Sequence, residues 1–163
     1  MISIRILLIV TILILSANVN SEIYEINCRI NFESGKTDVV KNYCLISAEM
    51  GNLESQHLLG IIYLSNNQFT QAYSWLKRAS LEGYPSSPYT LGKIYAHGWG
   101  VSQNNLFAHV WLNIAASHFP SPHAAVASGL LRRVEREMTN HEIIDAQNAA
   151  LECFTSNFTD CGY

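Results

Sequence analysis

Tyr43-Cys-Leu-Ile-Ser-Ala-Glu-Met-Gly51, followed by Leu59-Gly60-Ile-Ile-Tyr63, returns 32 residues later as Trp75-Leu-Lys-Arg-Ala-Ser-Leu-Glu-Gly83, followed by Leu91-Gly92-Lys-Ile-Tyr95. A third copy of the first half, Ala108-His-Val-Trp111-Leu-Asn-Ile-Ala115-Ala116, lies 36 residues beyond Ala72, Trp75 and Ala79. The extra residues fall in Gly98-Trp99-Gly100-Val101. A fixed period of this size identifies a repeat array, in which each unit buries its apolar face only against its neighbours.

Within each unit the apolar spacing is helical. Ala72, Trp75, Leu76 and Ala79 recur at i, i+3, i+4 and i+7, and Leu59, Ile62 and Tyr63 form a second stripe. Gly51 and Gly83 fit helix ends, where the chain turns left-handed. Gly60 and Gly92 lie inside helices, where Gly costs about 1 kcal/mol against Ala, so a compensating close approach is expected, with Trp75 and Trp111 as the bulky neighbours. Pro85 suits the first turn of the following helix, and Pro88 is tolerated there. Thr139-Asn-His-Glu142 is a capping box opening a last helix with the stripe Ile143, Ala146, Ala150 and Phe154. The pattern predicts helices over 37–50, 52–64, 69–82, 85–97, 104–117, 122–138 and 140–154, an all-α chain without a low-complexity linker.

The first stretch has a different character. Arg5 is followed by the apolar run Ile6 to Leu15, broken only by Thr11, and then by Asn18, Asn20 and Glu22. This reads as a secretory leader over 1–21, with Ala17 as the other possible end. The run falls short of the roughly 20 residues a membrane span needs, so no stable membrane anchor is expected once the leader is removed. Removal of 1–21 leaves 9 Lys+Arg against 13 Asp+Glu, an acidic balance without the basic stripe that nucleic-acid binding requires. The four cysteines, Cys28, Cys44, Cys153 and Cys161, all lie beyond the leader, an even count that predicts two disulfides in an oxidising compartment.

With Leu91-Gly92-x-x-Tyr95-x-x-Gly98-x-Gly100-Val101 and Ala108-x-x-Trp111-x-x-x-Ala115-Ala116, the chain resembles the Sel-one-like repeat family, a branch of the tetratricopeptide group. The resemblance runs from about Lys36 to Ser117, and the segment from Ala124 to Glu152 looks like the helical pair that closes small exported members. Asn66-Asn67-Gln68 replaces the Gly-x-Gly-Val turn in one repeat, and His118-Phe119 replaces a terminal Gly. The resemblance implies an α/α solenoid organised as a leader (1–21), an N-terminal segment (22–35), repeats (36–119) and a closing helical cap with a Cys-bearing tail (120–163). It implies an interaction module, not an enzyme, binding an unidentified protein or peptide on its concave face, in the periplasm or outside the cell. No cofactor is implied. The residues two before and two after the Leu of each Leu-Gly would line that face: His57 and Ile61, then Tyr89 and Lys93. In such a stack opposite ends are too far apart for a disulfide, so the local pairs Cys28–Cys44 and Cys153–Cys161 are expected, with Cys28 ahead of the first helix.

Other chemistry-bearing patterns are weak. His118 and His123 are separated by Pro120 and Pro122 and lack an accompanying ligand pattern, so no metal site is expected. Ser74-Trp-Leu-Lys77 has the S-x-x-K spacing of penicillin-recognising serine enzymes, without their Ser-Asp-Asn or Lys-Thr-Gly partners. A cell-wall or β-lactam-related enzyme of the cysteine-rich repeat type is the alternative, although those relatives place disulfides within each repeat. Gly35-Lys36-Thr37 resembles the end of a phosphate-binding loop, but Ile30 stands where its first Gly belongs. Asn157-Phe-Thr159 is a glycosylation sequon.

Overall fold

The computed structural model describes residues 19–34, 37–118 and 124–161, with backbone only at 37 and 38. Among these residues the chain forms eight helices and no strand. They are α1 (19–33), α2 (Thr37–Glu49), α3 (Leu53–Ser65), α4 (Phe69–Leu81), α5 (Ser87–His97), α6 (Asn105–Ser117), α7 (Ala124–Glu135) and α8 (Asn140–Thr155). Each helix packs mainly on those next to it in the chain, α2 on α3, α3 on α4, α4 on α5, α5 on α6 and α6 on both α7 and α8. This is the nearest-neighbour architecture of a solenoid.

The helix ends follow from local chemistry. The side chains of Asn52 and Asn104 accept from the backbone N–H of Ser55 and Phe107, capping α3 and α6. Thr139 and Glu142 form the reciprocal capping box at α8. Gly51 and Gly83 turn left-handed at φ 92° and 84°, and in the repeat lacking a glycine turn Asn67 takes φ 56° instead. Pro88 occupies the first turn of α5. The expectation for Pro85 needs correction, since it lies in the preceding turn, where the Ser87 N–H donates to the Tyr84 carbonyl.

Gly60 and Gly92 do mark close helix contacts, but the expected neighbours were one residue off. A Cβ on Gly60 would lie 2.5 Å from Leu76 Cγ, and one on Gly92 would lie 2.7 Å from Leu112 Cγ. Leu76 and Leu112 are fully buried at these crossings, as is Trp111, whereas Trp75 is only half-buried. Trp111 stacks on Phe158 from the segment after α8, with ring centroids 6.4 Å apart, while Trp75 meets the Arg78 guanidinium at 5.8 Å.

The largest departure from expectation is α1. Residues 19–33 are helical, and Cys28 lies within that helix, bonded to Cys44 of α2 with 4.7 Å between Cα atoms. Cys28 and Cys44 stand 32 residues before Gly60 and Leu76, so the bond occupies the crossing that the next pair makes by Gly–Leu contact. α1 is therefore the first-helix partner of α2, and the described chain holds three helical pairs, α1/α2, α3/α4 and α5/α6, followed by α7 and α8, which both pack on α6. At the other end Cys153 is bonded to Cys161, with 4.3 Å between Cα atoms. The leader's apolar run and Gly35-Lys36 lie outside the described residues, while 19–21 belong to α1.

Candidate functional site

The first helices of two successive pairs, α3 and α5, run side by side and leave a groove of about 650 Å³ between them. All four residues marked by the repeat spacing line it: His57 and Ile61 from α3, Tyr89 and Lys93 from α5. They reach it because positions two before and two after the Leu fall a helical turn apart, on the flank opposite the buried Leu59 and Leu91.

Their environments differ. His57 is buried, 8% exposed, with Nδ1 2.9 Å from the Ser87 hydroxyl and its ring 5.1 Å from that of Tyr84. It forms the floor of the groove, where an open contact position was expected. Burial, and secondarily the nearby Glu54 carboxylate, pushes the Tyr84 phenol up, keeping it neutral beside His57. Ile61, Tyr89 and Lys93 are half-buried. The Lys93 ammonium lies 5.5 Å from the Tyr89 ring centroid and 5.7 Å from that of Trp99. Among the described residues no carboxylate stands within 4.0 Å of it. A lysine held between aromatic faces keeps its charge available for an incoming anion.

Two aromatic lining residues escaped the sequence reading. Phe69, at the start of α4, stacks on Trp99 at 5.9 Å, and Trp99 stacks in turn on His97 at 4.8 Å. Trp99 sits in the turn after α5, which Gly100 lays against α4. Gly100 has φ 74°, and a Cβ there would come within 2.6 Å of the Phe69 carbonyl carbon. The inserted Gly98-Trp99-Gly100-Val101 was the available signal, since an aromatic residue between two turn glycines is held in place by both. A second, smaller recess of about 270 Å³ follows along the array, where α5 meets α7, lined by His97, Gln103, Asn105, Leu130, Arg133 and Glu137 among others.

The other candidates do not converge on a site. The Ser74 hydroxyl donates to the Thr70 carbonyl of its own helix, and Lys77 lies over the Tyr73 ring at 5.8 Å. His118 stacks on Phe154 at 3.9 Å, and His123 lies outside the described residues. Among the described residues no group of three or more His, Cys, Asp or Glu is placed to hold a metal ion. No described helix is long and apolar enough to cross a membrane. Asn157 is exposed in the turn between Cys153 and Cys161, with φ 55°.

No protein-family profile matches the chain. The chitin synthase regulator SKT5 of Saccharomyces cerevisiae is 33% identical over 72 residues, which cover 44% of this chain and 10% of the regulator. A solved structure of a protective antigen from uropathogenic Escherichia coli, described as displaying an SLR fold, superposes with a TM-score of 0.69 at 19% identity. The superposition covers 87% of this chain and 31% of the antigen, so the chain spans well under half of either protein. With its 32-residue period and paired helices, the chain has the all-α helical-repeat architecture of the SLR fold.

Proposed function

We propose that this chain is an exported, non-catalytic interaction module whose α3/α5 groove, on the concave side of the array, holds an extended segment of a partner protein or peptide. The observation that carries the reading is the composition of the groove: Ile61, Leu64, Phe69, Tyr89 and Trp99 offer apolar and aromatic walls around a single lysine. Such a lining suits an apolar or aromatic side chain followed closely by a carboxylate, the aromatic walls supplying contact area and Lys93 the orientation. A lone cation among aromatic walls does not suit a polyanion, in keeping with the net charge of −3. Export is supported by the apolar run after Arg5 and by four cysteines arranged as two disulfides.

Selection of phage-displayed random peptides on the purified protein tests the groove. Enriched peptides should carry an apolar or aromatic residue near an acidic one. Tyr89→Ala combined with Lys93→Glu should weaken their binding at least tenfold while the protein stays folded, with only a small drop in Tm, because half-buried Tyr89 packs against the edge of the core and Lys93 lies outside it. Peptides that bind the double variant unchanged would refute the assignment. Intact-mass analysis of the exported product should find an N-terminus near Glu22, and a product still beginning at Met1 would refute the leader.

A further inference from the structure

Helix α1 carries a row of exposed branched residues with no neighbour among the described residues of the stack. Val19, Ile23, Ile26 and Ile30 are 55%, 48%, 45% and 56% exposed, on the side of the helix opposite Cys28. Their 4-3-4 spacing is that of the a and d positions of a helix-pairing seam, which Glu33 ends one position further on. A solenoid buries such a row against the preceding repeat, and α1 has none among the described residues.

We propose that this row is the contact surface for a second copy of the chain, with the two α1 helices packed antiparallel across a two-fold axis. The charges select that occupant and that direction. When Ile23 is set against Ile26 of the second copy, the flanking positions bring Glu22 opposite Arg29, twice by symmetry, and a chain that keeps residues 18–21 adds Val19 against Ile30 and Asn20 against Asn27. In the parallel arrangement Glu22 would face Asn27, and Arg29 would face Ser34, with no ion pair formed. Arg29 is 47% exposed at its side chain although it already contacts Glu54 of α3 at 3.5 Å, so its guanidinium has donors left for a second carboxylate. Ile23, Ile26, Ile30 and Glu22 persist whether the leader ends at Ala17 or at Ser21. The disulfide to α2 fixes the helix before it pairs.

The apolar row amounts to roughly 250 Å² per copy over the three isoleucines and about 350 Å² where Val19 is retained, no more than an ordinary surface patch, and the flanking polar residues bring the interface only to the low end of specific associations. The dimer is therefore weak and concentration-dependent. Sedimentation equilibrium of the exported protein from about 5 to about 500 µM tests it, with dimer growing over that range and shrinking at 0.5 M salt. Ile26→Glu, which puts a carboxylate into the central layer, should leave monomer throughout, and Glu22→Arg should weaken association roughly tenfold at low salt. The second variant lies on the exposed surface and decides the matter if the first misfolds. A wild-type protein that stays monomeric at every concentration, or an Ile26→Glu variant that is folded and dimerises like the wild type, would overturn the proposal. Monomeric protein that co-sediments with phosphatidylcholine vesicles would assign the row to a lipid surface and would overturn it equally.

Discussion

Adding one methyl group at Gly92 sets two effects of opposite sign against each other. Alanine in a helix interior is favoured over glycine by about 1 kcal/mol, so on propensity alone Gly92→Ala should stabilise α5. The structure reverses that expectation. The new Cβ would lie 2.7 Å from Leu112 Cγ, 2.9 Å from its Cδ2 and 3.2 Å from its backbone nitrogen, where ordinary contact begins near 3.4 Å. Leu112 has no exposure and no room to turn away, and a backbone atom cannot rotate aside. Overpacking of this kind costs about 1–3 kcal/mol, and after the propensity gain a net loss of up to about 2 kcal/mol remains. In a Leu112→Ala background, itself destabilised by about 2–5 kcal/mol, the two closest contacts are gone and only the 3.2 Å approach to the backbone nitrogen remains, so the same Gly92→Ala should lie between neutral and a gain of about 1 kcal/mol. Urea unfolding of the four oxidised proteins, followed by far-UV circular dichroism, reads both effects as shifts in midpoint at constant slope. A Gly92→Ala midpoint above wild type, or the same shift in both backgrounds, would refute the argument that this contact sets the spacing between α5 and α6.

The crossing equivalence also predicts that Gly60→Cys and Leu76→Cys, introduced together, should oxidise to a disulfide without repositioning α3 or α4. Thiol titration and peptide mapping would show it, and two persistently free thiols would contradict it. Replacing Cys28 and Cys44 by Ser should cost about 3 kcal/mol by the chain-entropy estimate for a loop of this length, measured by the same urea melts. His109 should make the protein acid-sensitive. It is fully buried, its Nε2 is 3.2 Å from Glu135, its Nδ1 has no hydrogen-bond partner among the described residues, and burial holds its pKa below the usual value despite the opposing pull of Glu135. Below the unfolded-chain pKa, about 6.5, the unfolded state then binds the proton that the folded state refuses. Stability should fall as pH drops from about 6.5 through the folded pKa, and His109→Gln should flatten that limb of the urea midpoint–pH curve. An unchanged slope would remove His109 from the account.

How far the fold could be read depended on whether each repeat kept its marker residues. Leu59-Gly60 with Tyr63, and Leu91-Gly92 with Tyr95, are dictated by a helix crossing and were visible as a period. In α1 the corresponding positions are Asn27, Cys28 and Asn31, because a covalent bond has replaced the packing contact, and the helix vanished from the pattern along with its markers. The same logic governs the groove. Ile61, Tyr89 and Lys93 were found by their distance from Leu-Gly, whereas Phe69 and Trp99 enter through a turn geometry that periodicity does not encode. The depth of His57 also escaped, since its burial depends on Ser87, the first residue of α5, and on Tyr84 in the turn before it.

The bond between Cys28 and Cys44 has a mechanical meaning as well. A solenoid under tension yields from its ends, each helix peeling from the one behind it. A pull on the N-terminus of this chain would pass through the two sulfur atoms directly into α2, leaving the backbone between residues 28 and 44 outside the load path. About 50 Å of extended contour stays locked away while the bond is oxidised, at roughly 3.4 Å per residue. The first segment able to lengthen past that bond begins after Cys44, so the array offers its second repeat, rather than its first, as the place where it gives.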